Sequence, residues 1–118
     1  MENETYLATI SGLSTLLGRP QLLTSGNGAR FTSATKGKVT VYHRDIAAGN
    51  QTEVAFHIVS MAHRLGTSES EFRALVQVWK QQTGRSVQMN QQYIWPRVGL
   101  SSPEQAATLI TLIQSRIE

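Results

Sequence analysis

Apolar side chains recur at helical spacing through the middle of the chain, between Thr52 and Gly84. Residues three or four apart lie on one face of a helix, and the first such stripe is Val54, Ile58, Met61 and Leu65. Gly66 ends this helix, because a helix commonly closes on a residue that tolerates positive φ. Ser68 and Glu71 form a capping box that begins a second helix. Its predicted buried positions are Phe72, Leu75, Val76 and Trp79. The pattern therefore predicts two helices joined by a tight corner.

The pattern changes between residues 21 and 44, where apolar and polar residues alternate as in half-buried strands. The pair Asn27-Gly28 favours a hairpin turn. A second turn is predicted at the three-residue loop 35–37, with Gly37 in the left-handed conformation. This loop pairs Ala34 with Lys38. Two successive hairpins predict a small antiparallel sheet.

The second loop also predicts which side chains share a face of that sheet. It places Arg30 opposite Tyr42. It turns three apolar side chains toward the core, which a correct register must do: Phe31, Val39 and Val41.

Helices are predicted at both ends of the chain, one of them over about residues 3–17. The last helix is marked by a cap, a first-turn proline and a capping-box glutamine: Ser102, Pro103 and Gln105. Residues 85–100 are predicted to be extended, and Pro96 confines the following strand to an edge. The fold class is therefore α+β, with a small antiparallel sheet (a β-meander plus one or two short strands) packed on an αα-hairpin with N- and C-terminal helices.

Length and composition favour a single compact domain over residues 1–118, because 118 residues can bury about two-thirds of their unfolded surface. The absence of cysteine excludes disulfides, thiolate nucleophiles and zinc–thiolate sites. The N-terminus lacks the basic segment of a secretory signal, and no apolar run is long enough to cross a bilayer. We expect a cytoplasmic protein without a membrane partner.

Charge is unevenly distributed, although the net charge is only +3. Residues 5–44 contain five basic side chains and no acidic one, namely Arg19, Arg30, Lys36, Lys38 and Arg44. Residues 72–103 contain four more basic side chains without an acid. Such asymmetry favours a polyanion or an acidic partner.

The exposed face of the second hairpin is the first candidate site. The register predicts that cations surround an aromatic ring there, and the predicted nucleic-acid contacts are Arg30, Lys36, Lys38, Tyr42 and Arg44. Lysine and arginine neutralise phosphates, while a tyrosine ring stacks on a base. The structural alternative is a solvated sheet face with a cation–π pair across two strands.

The helical corner locally resembles the helix-turn-helix DNA-binding motif, over residues 61–75. A small residue at Ala62 is followed four residues later by Gly66, and apolar residues follow on the second helix. The resemblance implies that the start of the second helix meets base edges. This chain departs from the motif there, since Glu69 and Glu71 would be directed toward phosphates.

An irregular segment before the last helix carries the predicted protein-interaction residues Tyr93, Trp95 and Arg97. Aromatic and arginine side chains are enriched at the energetic centres of protein interfaces. The partner would be another protein or a second copy of the chain. The alternative is that Trp95 closes the core as a lid.

Histidine and carboxylate chemistry gives weaker candidates. Glu53 and His57 lie four residues apart on the predicted first helix, and His43 would complete a metal or acid–base site if its strand lay alongside. Neither a phosphate-binding loop nor a nucleophile elbow is present. The sequence therefore favours a protein that is not an enzyme and predicts no cofactor.

Three functions remain in competition at this point. The first is a small basic protein that binds DNA or RNA mainly through phosphates. The second is a protein-interaction module or small inhibitor, acting as a homodimer or on a partner. The third is a small-molecule binder with a pocket lined by Phe56, Trp79 and Tyr93.

Overall fold

A computed structural model describes residues 3–33, 37–44, 46–83 and 96–117 of the chain. The elements, in chain order, are α1 (Glu4–Leu17), β1 (Gln21–Leu22), β2 (Gly28–Ser33), β3 (Gly37–Tyr42), β4 (Thr52–Phe56), α2 (Ile58–Leu65), α3 (Glu69–Thr83), β5 (Arg97–Leu100) and α4 (Pro103–Ile117). The strands form one antiparallel sheet in the order β1-β2-β3-β4-β5. This arrangement confirms the α+β prediction.

The hydrophobic core lies between one face of the sheet and the helices. Alternate residues of β2, β3, β4 and β5 point to it, and they are buried: Phe31, Val39, Val41, Val54, Phe56, Val98 and Leu100. The helices contribute Leu13 from α1, Met61 from α2, Phe72 from α3 and Leu109 from α4. All of these side chains belong to one cluster, so the opposite face of the sheet is the one turned away from the core. We call it the outer face.

Strand β4 corrects the prediction that a helix begins near Thr52. Thr52, Val54 and Phe56 face the core, while Glu53 and Ala55 face the outer side. The β4 strand is hydrogen-bonded on both sides, to β3 and to β5. The five residues of β4 fit both the helical period of about 3.6 and the strand period of about 2. Their β-branched and aromatic side chains favour a strand, and pairing with β3 and β5 stabilises it.

The β2–β3 hairpin is shifted by two residues from its predicted register. Arg30 lies opposite Thr40 rather than Tyr42, and Lys38 pairs with Thr32 rather than Ala34. A slip of two residues leaves every side chain on its predicted face, which is why the core positions were correct. Gly37 has φ +91°, as predicted, and a Cβ there would also lie 2.5 Å from the Met61 sulfur.

The helix boundaries follow the predicted capping residues. Gly66 is left-handed, with φ 69° and ψ 31°. Ser68 Oγ accepts the Glu71 amide at 3.1 Å, and Glu71 Oε1 accepts the Ser68 amide at 3.2 Å. Ser102 Oγ accepts the Gln105 amide at 3.2 Å, but the Gln105 side chain accepts from Ser101 rather than Ser102.

Strand β5 confirms that the strand after Pro96 lies at an edge of the sheet. The predicted extended residues 85–95 lie outside the described part of the chain. Among the described residues, the helices are all too short or too polar to span a bilayer.

Candidate nucleic-acid interface

The outer face of the sheet divides into an exposed half and a buried half. On β2 and β3, Arg30, Thr32 and Lys38 are exposed. On the β3–β5 side, Thr40 has no exposed surface, and Glu53 is 2% exposed. The sequence predicted that this face of the hairpin is exposed, so the burial of Thr40 is a correction. Thr40 lies between β2 and β4 in the sheet, and its hydroxyl is buried with no hydrogen-bond partner among the described residues.

A charged cluster occupies the buried half. Arg97 Nη1 donates to Glu53 Oε1 at 3.0 Å, and the two side chains are only 9% and 2% exposed. Glu53 Oε2 accepts the Ala47 amide at 2.7 Å and the Asn50 side-chain amide at 2.8 Å. Both carboxylate oxygens are therefore hydrogen-bonded, as a buried charge requires.

The aromatic ring of Tyr42 is held by this cluster. The Arg97 guanidinium carbon lies 4.1 Å from the centre of the Tyr42 ring. The sequence predicted that Arg30 would lie across from this ring, but the register places Gly28 opposite Tyr42. Arg97 was predicted as a protein-interaction residue and Tyr42 as a nucleic-acid contact. The structure brings these two side chains into direct contact.

Lys80, on α3, is another buried basic side chain. Its side chain is 4% exposed. Burial lowers the pKa of the Lys80 ammonium, and the negative charge of Glu53 acts in the opposite direction. The buried half thus contains Glu53 paired with Arg97, and this pair adds no net charge to the outer face.

An open groove of about 350 Å³ lies beside Tyr42 on the exposed half. Its lining consists of Gln21, Leu22, Leu23, Thr24, Ser25, Arg30 and Tyr42. The β1–β2 connection forms one wall and is fixed by its own backbone, since the Leu23 amide donates to Gly28 and the Gly26 amide donates to Leu23. The groove therefore combines a cation, an aromatic ring and two hydroxyls.

Two of the other predicted cations, Lys38 and Arg44, are exposed but do not line the groove. Lys38 is exposed, and its backbone amide donates to Ser60 Oγ at 3.1 Å. Arg44 is exposed and follows β3 two residues after Tyr42. Lys36 lies outside the described residues.

The predicted site of Glu53, His57 and His43 is wrong in its geometry. Glu53 belongs to β4 and to the buried cluster. His57 precedes α2, where its Nδ1 caps the helix by accepting the Ser60 amide at 3.2 Å. The His43 ring packs edge-on against Tyr6 at 4.6 Å. No three metal-ligating side chains come together in the described ranges.

The other predicted sites lie only partly within the described residues. Phe56 and Trp79 pack against each other at 5.3 Å in the core, together with Phe72. The third predicted pocket residue, Tyr93, and the interaction residue Trp95 lie outside the described residues. Glu71 is exposed at the start of α3, where hydrogen bonds from Ser68 lower the pKa of its carboxyl group.

Neither the groove wall nor the buried cluster was predicted from the sequence. Residues 21–25 carry no recognisable motif. Glu53 and Arg97 lie 44 positions apart. One signal was available: apolar and polar residues alternate in β4. If this segment is interpreted as a strand, Glu53 faces away from the core.

Comparison with known proteins finds no matching family model, no matching curated protein and no matching solved structure. The geometry and charge of the outer face are therefore what indicates a function.

Proposed function

We propose that this protein binds nucleic acid through the exposed half of the outer face, mainly by contacts to phosphates. The observation that supports this most directly is the sign of the charges there. Arg30, Lys38 and Arg44 are exposed, while the one carboxylate on the outer face among the described residues, Glu53, is buried and paired with Arg97. Among the described residues of this surface, a phosphate chain meets cations without meeting an exposed acid.

The spacing of the cations suits an extended chain of phosphates. Arg30 lies opposite Thr40, and Lys38 is two residues from Thr40 along β3. Diagonal neighbours of this kind in a sheet are separated by roughly 7–8 Å. Long, flexible side chains at that spacing reach successive phosphates of one strand.

His57 adds little charge to this surface at neutral pH. Burial, and to a smaller extent the positive charge of Lys38, lowers the pKa of His57. The imidazole is therefore neutral at pH 7, and the affinity for nucleic acid is expected to depend on arginine and lysine.

Single alanine substitutions test the proposed surface. We expect Arg30→Ala, Lys38→Ala and Arg44→Ala each to weaken binding to labelled single-stranded DNA or RNA and to reduce the salt slope by about one phosphate contact. Arg73→Ala is the matched control, because Arg73 is exposed on α3, in the helical layer. If all four variants lose the same affinity in fluorescence anisotropy, binding depends on the net charge of the protein and not on the outer face.

The protein-interaction alternative stays a prediction. Two of its three residues lie outside the described part of the chain, and the third, Arg97, is buried against Glu53. It predicts a protein partner or a homodimer whose formation is insensitive to Arg30 and Lys38. Sedimentation of the wild type and these variants distinguishes it from the proposed function.

A further inference from the structure

The groove beside Tyr42 brings polar groups, a cation and an aromatic ring together around one open space. Its volume of about 350 Å³ falls within the range of small-ligand pockets. Polar groups are available in its wall, since Thr24 and Ser25 carry hydroxyls and Gln21 carries an amide. Arg30 lines the groove as well, and it is exposed. The groove therefore offers hydrogen-bonding groups and a charge to one ligand.

The position of the Tyr42 ring is fixed before any ligand arrives. Arg97 stacks on one face of the ring at 4.1 Å and is itself held by Glu53. The ring also lines the groove, together with Arg30. A flat ligand in the groove therefore meets an aromatic side chain whose orientation is already set.

We propose that the groove beside Tyr42 is a subsite for one unpaired nucleotide, whose base contacts the Tyr42 ring and whose phosphate contacts Arg30. This inference rests on the proposed function and narrows its substrate to single-stranded nucleic acid. Base stacking on an aromatic side chain requires an exposed π-face, which bases inside a duplex do not offer. Thr24 and Ser25 also line the groove, and their hydroxyls are available to hydrogen-bond the edge of the base.

An abasic oligomer separates the base contact from the phosphate contacts without altering the protein. Two labelled oligomers of about ten nucleotides are compared, one intact and one with sugar–phosphate units that lack bases, at about 50 mM salt. We expect the wild type to bind the abasic oligomer about tenfold more weakly, which is within the range for the loss of stacking on one aromatic side chain. The salt slopes of the two are expected to be the same.

Two variants test whether Tyr42 is responsible. Tyr42→Phe keeps the ring and is expected to discriminate between the two oligomers as the wild type does. Tyr42→Leu is expected to bind both oligomers equally, with the affinity of the wild type for the abasic one. A circular dichroism melting curve of each variant establishes that it is folded.

The outcomes distinguish this inference from the proposed function. Equal binding of both oligomers by the wild type overturns the nucleotide subsite, while a steep salt dependence in the same data would still support phosphate binding. If neither oligomer binds, the amide resonances of residues 21–25 and Arg30 are followed during titration with adenosine monophosphate. Shifts confined to these residues support the subsite although the proposed function has failed, and their absence overturns both.

Discussion

The Glu53 carboxylate lies among three hydrogen-bond donors, two of them neutral amides and one the Arg97 guanidinium. The three donors come from two parts of the chain. Ala47 and Asn50 belong to the connection before β4, and Arg97 belongs to the edge strand β5. Because Arg97 also stacks on Tyr42, the position of the Tyr42 ring depends on a carboxylate in the neighbouring strand.

Glu53→Gln is expected to destabilise the protein by about 3 kcal/mol, since it leaves the Arg97 charge buried without a counter-charge. The measurement is urea-induced unfolding at pH 7. Glu104→Gln is the control, because Glu104 is exposed at the first turn of α4, and its effect is expected to stay below about 1 kcal/mol. Equal losses for the two variants would contradict a stabilising role for the buried pair.

The double variant Glu53→Gln/Arg97→Met removes both charges at once. We expect it to be less destabilised than the sum of the single variants, because the penalty of an unpaired buried charge disappears. A strictly additive double-mutant cycle would show that the two side chains are energetically independent.

At the scale of elements, capping residues located the helices better than the apolar pattern did. Gly66, Ser68 and Glu71 act locally, and their conformations and hydrogen bonds agree with the prediction. Nothing within residues 52–56 indicates which strands pair with them. Their apolar residues therefore fit a helix equally well until the pairing with β3 and β5 is known. Local signals are therefore readable from one sequence, whereas pairing between distant segments is not.

Gly12 shows how tertiary packing overrides local preference in α1. A helical glycine costs about 1 kcal/mol relative to alanine. However, a Cβ at Gly12 would lie 2.7 Å from Ile110 Cγ1 of α4. The close approach of the two helices therefore accounts for the glycine.

Gly12→Ala is accordingly expected to destabilise the protein by about 1 kcal/mol, because overpacking exceeds the gain in helix propensity. In an Ile110→Ala background the same substitution is expected to be stabilising, because the clashing atoms are gone. Thermal unfolding of the four proteins measures both values. A stabilising effect of Gly12→Ala in the wild-type background would contradict the close packing of α1 on α4.

The capping box of α3 gives a prediction for pH dependence. Hydrogen bonds from the Ser68 amide and hydroxyl lower the pKa of the Glu71 carboxyl in the folded state. A lowered folded pKa stabilises the protein above the unfolded pKa, and this contribution is lost as the pH falls through the folded value. The stability difference between wild type and Glu71→Gln is therefore expected to shrink from pH 7 to pH 3 in urea titrations. A difference that does not change with pH would exclude this role for Glu71.

At the scale of the whole molecule, the sequence predicted the α+β architecture and the face on which Arg30, Lys38 and Tyr42 lie. It did not predict the division of that face into two halves. Burial of Thr40 and Glu53 depends on the assembled sheet, and the pairing of Arg97 depends on a strand placed far along the chain. The charge distribution could be predicted from the sequence, whereas the groove beside Tyr42 could not.

The central claim is that the exposed half of the outer face binds single-stranded nucleic acid through its cations. The most direct test is the salt dependence of the affinity for a labelled single strand, measured by anisotropy between about 50 and 200 mM salt. If Arg30, Lys38 and Arg44 each neutralise one phosphate, the logarithm of the association constant falls with a slope of about −2, a loss of about twentyfold. The Arg30→Ala/Lys38→Ala/Arg44→Ala variant is expected to lose this dependence, whereas Arg73→Ala is expected to retain most of it. Absence of binding at the lower salt concentration, or an unchanged slope in the triple variant, would contradict the claim.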